Sequence, residues 1–116
     1  MNPFISSIMI VASNGSIYGD SDNYMIFQRQ FPNFDYKERL ANNRFDRIIT
    51  EPYKGRYGYR TSIIREILSP ISLLPIGYIW VNLDYNKTQA LFYDVLAVYY
   101  SNHFAIGTST EKRTIA

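Results

Sequence analysis

The chain has 116 residues, a formal net charge of +2, 47% hydrophobic and 19% charged residues, no Cys and a single His. This balance predicts one folded domain with its own core, and so small a net charge does not by itself indicate nucleic acid or an anionic membrane as a partner. The lack of Cys excludes thiol catalysis, thiolate zinc sites and disulfides, and one His argues against a His-based metal cluster or a serine-type triad; we expect no catalytic residue, metal or cofactor.

A β-hairpin is predicted at the start of the chain. Residues 7–12 are rich in branched apolar side chains, and they are followed by Asn14-Gly15 and then by residues 16–18. Both Asn and Gly tolerate positive φ, which favours a tight turn between two antiparallel strands. Residues 20–47 show mixed periodicity, so we predict loops and short helices there, including a helix over residues 36–43 with Leu40 facing inward.

Strands are predicted again from residue 48 onward. Residues 48–50 begin a strand, residues 53–59 contain two Gly and indicate a turn, and residues 61–68 and 76–84 form two longer strands. In residues 61–68 the side chains of Ile63, Arg65 and Ile67 alternate with those of Ile64, Glu66 and Leu68. In residues 76–84 the side chains of Tyr78, Trp80 and Asn82 share one face, opposite Ile79, Val81 and Leu83.

A helix is predicted after the last of these strands. Asn86 and Gln89 have the spacing of a capping box, and Leu91, Val95 and Val98 recur at helical intervals. Residues 103–108 suggest one more short strand, and residues 111–116 suggest a frayed tail. The order of elements predicts an α+β fold, an antiparallel sheet of about five strands with helices packed on it; a PAS-like fold is one solution of this kind.

Three segments resemble the extracellular Cache (PAS-like) domain of YesM-type bacterial sensor histidine kinases. Residues 5–18 are similar to its opening strand, Asn-Gly turn and second strand; residues 63–68 and residues 75–84 are similar to its last two strands, with Gly before an apolar run that ends in Asp. The resemblance spans roughly residues 5–100, and residues 20–47 match it poorly.

The resemblance implies that residues 1–116 are a single Cache/PAS-like sensor domain, a fragment of a larger membrane-anchored receptor, with residues 101–116 as the link to a membrane-proximal lobe. It implies a location on the extracellular side of the bacterial cell membrane and a parent histidine kinase of a two-component system, the fragment itself not being an enzyme. The implied partners are a small nutrient-type ligand such as a carbohydrate, or a solute-binding protein, with a homodimer as one arrangement; nucleic acid is not among them.

In Cache domains the ligand lies between the sheet and the segments that cover it. Placed on this sequence, that position implies a ligand-binding set of Tyr53, Tyr57, Tyr59, Arg60, Arg65 and Trp80. Aromatic rings offer flat surfaces to sugars or apolar groups, and Arg binds a carboxylate through two N–H groups. For Arg65 we weigh a ligand-directed role against an ion pair with Glu51 or Asp94, and against simple exposure on the sheet.

Two other functions remain open from the sequence. One is a spacer or dimerisation module without a small ligand. The other is RNA binding, because residues 54–60, Lys-Gly-Arg-Tyr-Gly-Tyr-Arg, are similar to an RNA-recognition strand. In that motif no residue separates the first Gly from the aromatic, whereas Arg56 does so here, and the opening strand lacks a matching aromatic residue.

Overall fold

The structure, a computed structural model, describes residues 2–91, 93 and 94. In this part of the chain one antiparallel sheet is built from six strands: β1 (Ile5–Ala12), β2 (Ile17–Gly19), β3 (Ile48–Ile49), β4 (Tyr53–Gly55), β5 (Gly58–Leu68) and β6 (Pro75–Asp84). The helices are α1 (Ser21–Gln30), α2 (Tyr36–Asn42) and α3, which comprises the helical residues 85–91, 93 and 94. The expected α+β class with an antiparallel sheet is therefore confirmed.

The strand order is β2-β1-β6-β5-β3, and β4 also pairs with β5. Six strands occur rather than about five because residues 48–55 pair with β5 in two separate pieces. Ile48 and Ile49 lie opposite Ile64 and Ile63, whereas Tyr53 lies opposite Arg60. The first and last strands are neighbours in the middle of the sheet, since Ile5 of β1 pairs with Leu83 of β6 and Ala12 pairs with Gly77.

The predicted hairpin is confirmed, although its loop differs from the expected two-residue turn. Gly15 has a φ of 92°, but Asn14 does not adopt the left-handed conformation. Instead, the Asn14 side-chain oxygen accepts a hydrogen bond from the Ser16 N–H at 2.9 Å. The chain therefore turns over three residues, 13–15, and the turn is closed by the Ala12 N–H donating to the Ser16 carbonyl at 2.8 Å.

Helix α1 is longer than the short helices expected for residues 20–47. The Asp20 side chain caps its start by accepting a hydrogen bond from the Asn23 N–H at 3.2 Å. Its buried residues are Asn23, Tyr24 and Phe27. The polar Asn23 at an inward position interrupts the apolar periodicity, which is why the sequence pattern does not reveal this helix.

Helix α2 agrees with the prediction. Asp35 accepts a hydrogen bond from the Glu38 N–H at 3.1 Å and so caps the helix, and Leu40 faces inward with 2% of its surface exposed. Helices α1 and α2 cover the inner face of the sheet. The core between them contains Met9, Val11, Tyr24, Phe27, Tyr36, Leu40, Ile48, Tyr53, Ile64, Tyr78 and Trp80.

The predicted alternation of β5 and β6 is also confirmed. Ser62 and Ile64 of β5 and Trp80 and Asn82 of β6 are buried beneath the helices. The intervening residues form the outer face, where β1 contributes Ile8 and Ile10 with 44% and 37% of their surface exposed. The outer face is thus partly aliphatic and partly open to solvent.

Helix α3 follows β6 directly and begins two residues earlier than expected. Asp84, rather than Asn86, provides the cap: its side chain accepts a hydrogen bond from the Lys87 N–H at 3.1 Å, and its carbonyl accepts one from the Thr88 hydroxyl at 2.8 Å. The expected strand at residues 103–108 and the tail lie outside the described residues. None of the helices in the described part combines the length and apolar character needed to cross a membrane.

Candidate functional site

Three of the six residues expected to bind ligand lie on the inner face of the sheet. Tyr53 and Trp80 have 2% and 0% of their surface exposed and belong to the core. Arg60 lies opposite Tyr53 across the β4–β5 pair and is 8% exposed. Its guanidinium donates to the carbonyls of Tyr59 and Tyr57 at 3.1 and 3.4 Å, so this Arg supports the β4–β5 turn.

The other three residues are exposed and do not converge with the first group. Tyr57 lies in the β4–β5 turn with 78% of its surface exposed, and Tyr59 is 51% exposed. Arg65 projects from the outer face, because alternate residues of a strand point to opposite sides. It donates to the Phe45 carbonyl at 3.2 Å and makes no ion pair with Glu51 or Asp94 within the described residues. A single ligand cannot contact Arg65 and Trp80 from the same side of the sheet.

A closed ring of hydrogen bonds occupies one end of the core. We call it the polar ring, and its members are Ser7, Asp20, Asn23, Tyr53, Ser62 and Asn82. The Asn23 amide donates to the Tyr53 hydroxyl at 2.8 Å, and Ser62 donates to the Asn82 side-chain oxygen at 2.7 Å. Since the Ser62 proton is committed to Asn82, Tyr53 donates to Ser62.

The second half of the polar ring ends on a carboxylate. The Asn82 amide donates to the Ser7 hydroxyl at 3.0 Å, which donates to Asp20 at 2.9 Å. The other Asp20 oxygen caps α1 through Asn23. Every hydroxyl in the ring both accepts and donates, so the ring satisfies buried polar groups from α1, β1, β4, β5 and β6. Burial raises the pKa of Tyr53, and the hydrogen bonds with Ser62 and Asn23 oppose that rise.

Aromatic rings fill the rest of the space between the sheet and the helices. Trp80 lies at the centre, with ring centroids 5.2, 5.1 and 5.0 Å from those of Tyr24, Phe27 and Tyr36. All three pairs are edge-to-face, an arrangement that stabilises beyond the area it buries. Burial raises the pKa of Tyr36, and its hydrogen bond with Tyr24 adds to the rise. The region where a ligand was expected is therefore occupied by side chains.

A buried ion pair lies at the far end of the inner face. The Glu66 side chain is 3% exposed, and its carboxylate lies 3.3 Å from the Arg44 guanidinium, whose side chain is 28% exposed. Neither oxygen of Glu66 has a hydrogen-bond partner among the residues described. Arg44 is thus the charge that compensates this carboxylate, and it fixes the loop after α2 to the sheet. Burial raises the pKa of neighbouring Tyr78, and the Glu66 charge contributes to the rise.

An open cavity of about 310 Å³ lies at the edge of the sheet, between α1, α2 and β3. We call it the phenylalanine cavity, and its walls are Phe27, Phe31, Phe34, Arg39, Ile48, Ile49, Thr50 and Glu51. The Phe27 ring lies at its base, with centroids 4.9 Å from Phe31 and 5.7 Å from Phe34. Phe27 is buried, whereas Phe31 and Phe34 are half-buried, so the cavity has an apolar base and an aromatic side wall.

Two charged side chains in the cavity wall have no ionic partner in the part of the chain that the structure describes. The Arg39 guanidinium lies 5.3 Å from the Phe34 ring centroid, and neither Arg39 nor Glu51 makes a side-chain hydrogen bond or ion pair within the described residues. By contrast, the polar groups of Thr50 are engaged: its hydroxyl accepts from the Ser62 N–H at 2.9 Å and its carbonyl accepts from the Thr61 hydroxyl at 2.6 Å. Arg39 and Glu51 are therefore open to a ligand's polar groups.

The residues of this cavity were not singled out from the sequence. Phe27, Phe31 and Phe34 have helical spacing, which was an available signal, but Pro32 interrupts it and α1 ends at Gln30. The cavity depends on the loop after α1 returning Phe34 to the Phe27 ring, and that return is a tertiary contact. The remaining wall comes from β3, which is distant in sequence.

Among the described residues, no group of three or more His, Asp or Glu side chains is arranged to hold a metal ion. Comparison of the chain with protein-family models, with characterised proteins and with solved structures finds no match. The candidate site therefore stands on its own geometry.

Proposed function

We propose that this chain is a signal-sensing domain of a bacterial two-component sensor histidine kinase, exposed outside the cell membrane, and that it senses a small molecule bound in the phenylalanine cavity. The observation that carries the proposal is that cavity: an aromatic, solvent-open depression of about 310 Å³ whose wall holds Arg39 and Glu51, neither paired with another described residue. Pockets for small ligands combine apolar walls with a few polar groups that fix orientation.

The sheet topology supports the family part of the proposal. PAS-like domains share an antiparallel sheet in which the first and last strands are adjacent and the hairpin strand lies at one edge. The order β2-β1-β6-β5-β3 fits that plan. Strands β3 and β4 both pair with β5 and together take the place of the third strand. Both α1 and α2 lie between β2 and β3 in the chain, as the covering helices of such domains do.

A connected set of contacts supports transmission from the cavity to the end of the sheet. Phe27 forms the base of the cavity and its ring centroid lies 5.1 Å from that of Trp80 on β6. Strand β6 continues through Asp84 into α3. A ligand that displaces Phe27 would bias the position of β6 and of the helix that follows it. The energy available for this is only the difference in ligand affinity between the two arrangements.

A second candidate function, a spacer or dimerisation module without a small ligand, is favoured by a separate observation. The space between sheet and helices is filled, and the outer face exposes the aliphatic side chains of Ile8, Ile10 and Ile49, the last with 61% of its surface exposed. A solute-binding protein as the sensed partner would also need no deep pocket. These alternatives predict no small-molecule site in the phenylalanine cavity.

The test is a small-molecule fragment screen followed by two-dimensional NMR, with a variant that blocks the cavity. Glu51→Trp places a large ring in the cavity wall at an exposed position, so the fold should be retained. Ile10→Trp, on the outer face, is the matched control. We expect fragments to shift the resonances of Phe31, Phe34 and Ile48 in the unmodified protein and in the control, and not in Glu51→Trp.

Two outcomes of this screen would contradict small-molecule sensing. If no fragment perturbs these resonances at millimolar concentration, or if Glu51→Trp binds every fragment as the control does, small-molecule sensing in this cavity is wrong. A short single-stranded RNA in the same screen covers the RNA hypothesis. Binding of that RNA with a steep dependence on salt would favour nucleic-acid recognition instead.

A further inference from the structure

We propose that the phenylalanine cavity selects a small monocarboxylate with an apolar body the size of one ring, and that Arg39 is the residue that binds the carboxylate. This inference rests on the proposed function and specifies the ligand class of the same cavity. It differs from the carbohydrate expected from the resemblance, because it follows from the chemistry of the cavity wall.

The size and surface of the cavity set the body of the ligand. A cavity of about 150 Å³ is enough for benzene. The phenylalanine cavity, at about 310 Å³, therefore accommodates one ring or a branched aliphatic group together with a short polar head. Its base and side wall are Phe27, Phe31, Phe34 and Ile48, which offer no hydrogen bonds from their side chains to the several hydroxyls of a sugar.

The position of Arg39 sets the head group. Its guanidinium carbon lies 5.3 Å from the centroid of the Phe34 ring, which leaves the N–H groups at the guanidinium edge free of protein partners among the described residues. A planar guanidinium held by an aromatic ring is suited to bind a carboxylate through two parallel hydrogen bonds. A Lys cannot reproduce that fork.

Glu51 adds selectivity against a second negative charge. It lines the same cavity and has no cationic partner among the described residues. A dicarboxylate of the same size would bring its second charge towards Glu51, and like charges in a partly desolvated site are unfavourable. The cavity therefore distinguishes monocarboxylates from dicarboxylates through Glu51, and from neutral analogues through Arg39.

The experiment compares four probes that share one body: 3-phenylpropionate, 3-phenylpropanamide, 3-phenylpropylamine and phenylsuccinate. Each is titrated into the whole chain while two-dimensional NMR follows the resonances of Phe31, Phe34 and Ile48. We expect 3-phenylpropionate to bind at least ~10-fold more tightly than the amide, which lacks the charge that strengthens hydrogen bonds to Arg39. It should also bind more tightly than the dicarboxylate, whose second charge Glu51 repels. The amine would pair with Glu51 rather than with Arg39, so its affinity should not fall in Arg39→Gln.

Three Arg variants complete the design. Arg39→Gln should weaken 3-phenylpropionate binding at least ~10-fold and leave the affinity for the amide unchanged. The affinity of Arg39→Lys for 3-phenylpropionate should lie between those of Arg39→Gln and the unmodified chain. Arg29→Gln, which removes an exposed Arg of α1 outside the cavity, should bind as the unmodified chain does. Because Arg39 is exposed, its variants should keep the dispersed spectrum of the folded protein.

The outcomes separate this proposal from the proposed function. If the amide binds at the cavity as tightly as the carboxylate, or if Arg39→Gln has no effect, the ligand class is wrong while the cavity remains a binding site. If 3-phenylpropionate fails to shift cavity resonances at 10 mM, roughly the weak limit of such titrations, the ligand class is likewise wrong. The proposed function then depends on the wider fragment screen and the Glu51→Trp variant.

Discussion

The Tyr53 hydroxyl donates a hydrogen bond to the Ser62 hydroxyl across the β4–β5 pair, at an oxygen–oxygen distance of 2.5 Å. Both residues are buried, and the Ser62 hydroxyl donates a hydrogen bond to the Asn82 side-chain oxygen. Strand β4 has only three residues, so this contact supplements a short ladder of backbone hydrogen bonds. The polar ring thus holds the edge of the sheet to α1 and to the central strands.

Removing the Tyr53 hydroxyl should destabilise the fold. Tyr53→Phe leaves the Asn23 amide, which is 3% exposed, without its acceptor. An unsatisfied buried donor costs about 1–3 kcal/mol, and each kcal/mol lowers the Tm of a domain of this size by roughly 4–8 °C. Urea denaturation and thermal melting measure the loss. Tyr57→Phe, at a residue 78% exposed, is the control and should change stability by less than ~0.5 kcal/mol; equal losses in both variants would contradict the role of the polar ring.

Removing the positive charge of Arg44 next to Glu66 should lower the free energy of unfolding. Arg44→Met leaves a carboxylate that is 3% exposed without compensation, and breaking a buried pair in this way costs about 3–5 kcal/mol. Because the Arg44 side chain is 28% exposed, we expect the lower end of that range, about 3 kcal/mol. The double variant Arg44→Met/Glu66→Met should recover most of the loss in chemical denaturation.

The matched control for that experiment is a pair at the surface. The Arg56 Nη1 and Asp22 Oδ2 atoms lie 2.7 Å apart, and the two side chains are 58% and 65% exposed. Exposed pairs contribute about 0–1 kcal/mol, so Arg56→Met should have little effect. If Arg44→Met is no more destabilising than Arg56→Met, the Glu66 carboxylate is better solvated than its burial indicates.

Alkaline pH should weaken the fold through its buried phenols. The pKa values of Tyr36, Tyr53 and Tyr78 are raised, chiefly by burial, so the folded state retains protons that the unfolded state releases above about pH 10. The corresponding stability is fully present below pH 10 and is lost as the pH rises through the raised values. Urea denaturation at pH 8, 10 and 11 should show a steeper fall above roughly pH 10 in the unmodified chain than in Tyr36→Phe. An unchanged free energy of unfolding from pH 8 to 11 would contradict this.

The location outside the cell membrane can be tested with a single thiol. The chain contains no Cys, and Tyr57 is 78% exposed. Tyr57→Cys, introduced into the protein in its native host, should react with a membrane-impermeant maleimide in intact cells. The unsubstituted protein serves as the control for other thiols. Labelling that appears only after the cells are lysed would place the chain on the cytoplasmic side.

The strands were predictable because buried and exposed side chains alternate along a strand of a half-buried sheet, and this alternation is visible in the sequence. Trp80 and Asn82 are inward as expected, with Val81 between them facing out, and the polar Asn82 did not obscure the pattern because its flanking residues are apolar. The same logic failed for α1, where a buried Asn23 satisfies its amide through Tyr53, thirty residues away. No local sequence pattern identifies that partner.

The candidate site was less predictable than the fold. The exposed Tyr57 and the buried Tyr53 are four residues apart in one aromatic run, and only the pairing of β4 with β5 separates their environments. The phenylalanine cavity requires Phe34 to return to Phe27 after a break at Pro32, and requires β3 to lie alongside. Both conditions are properties of the assembled sheet.

Trp80 gives the molecule an internal optical reporter. It is the single Trp of the chain, it is fully buried, and the Phe27 ring that forms the base of the phenylalanine cavity lies edge-on to it. Tryptophan fluorescence, excited at the red edge where the eleven Tyr residues absorb little, therefore arises from one indole next to the cavity. Occupancy of the cavity and unfolding of the core can both be followed on the unlabelled protein through this one chromophore.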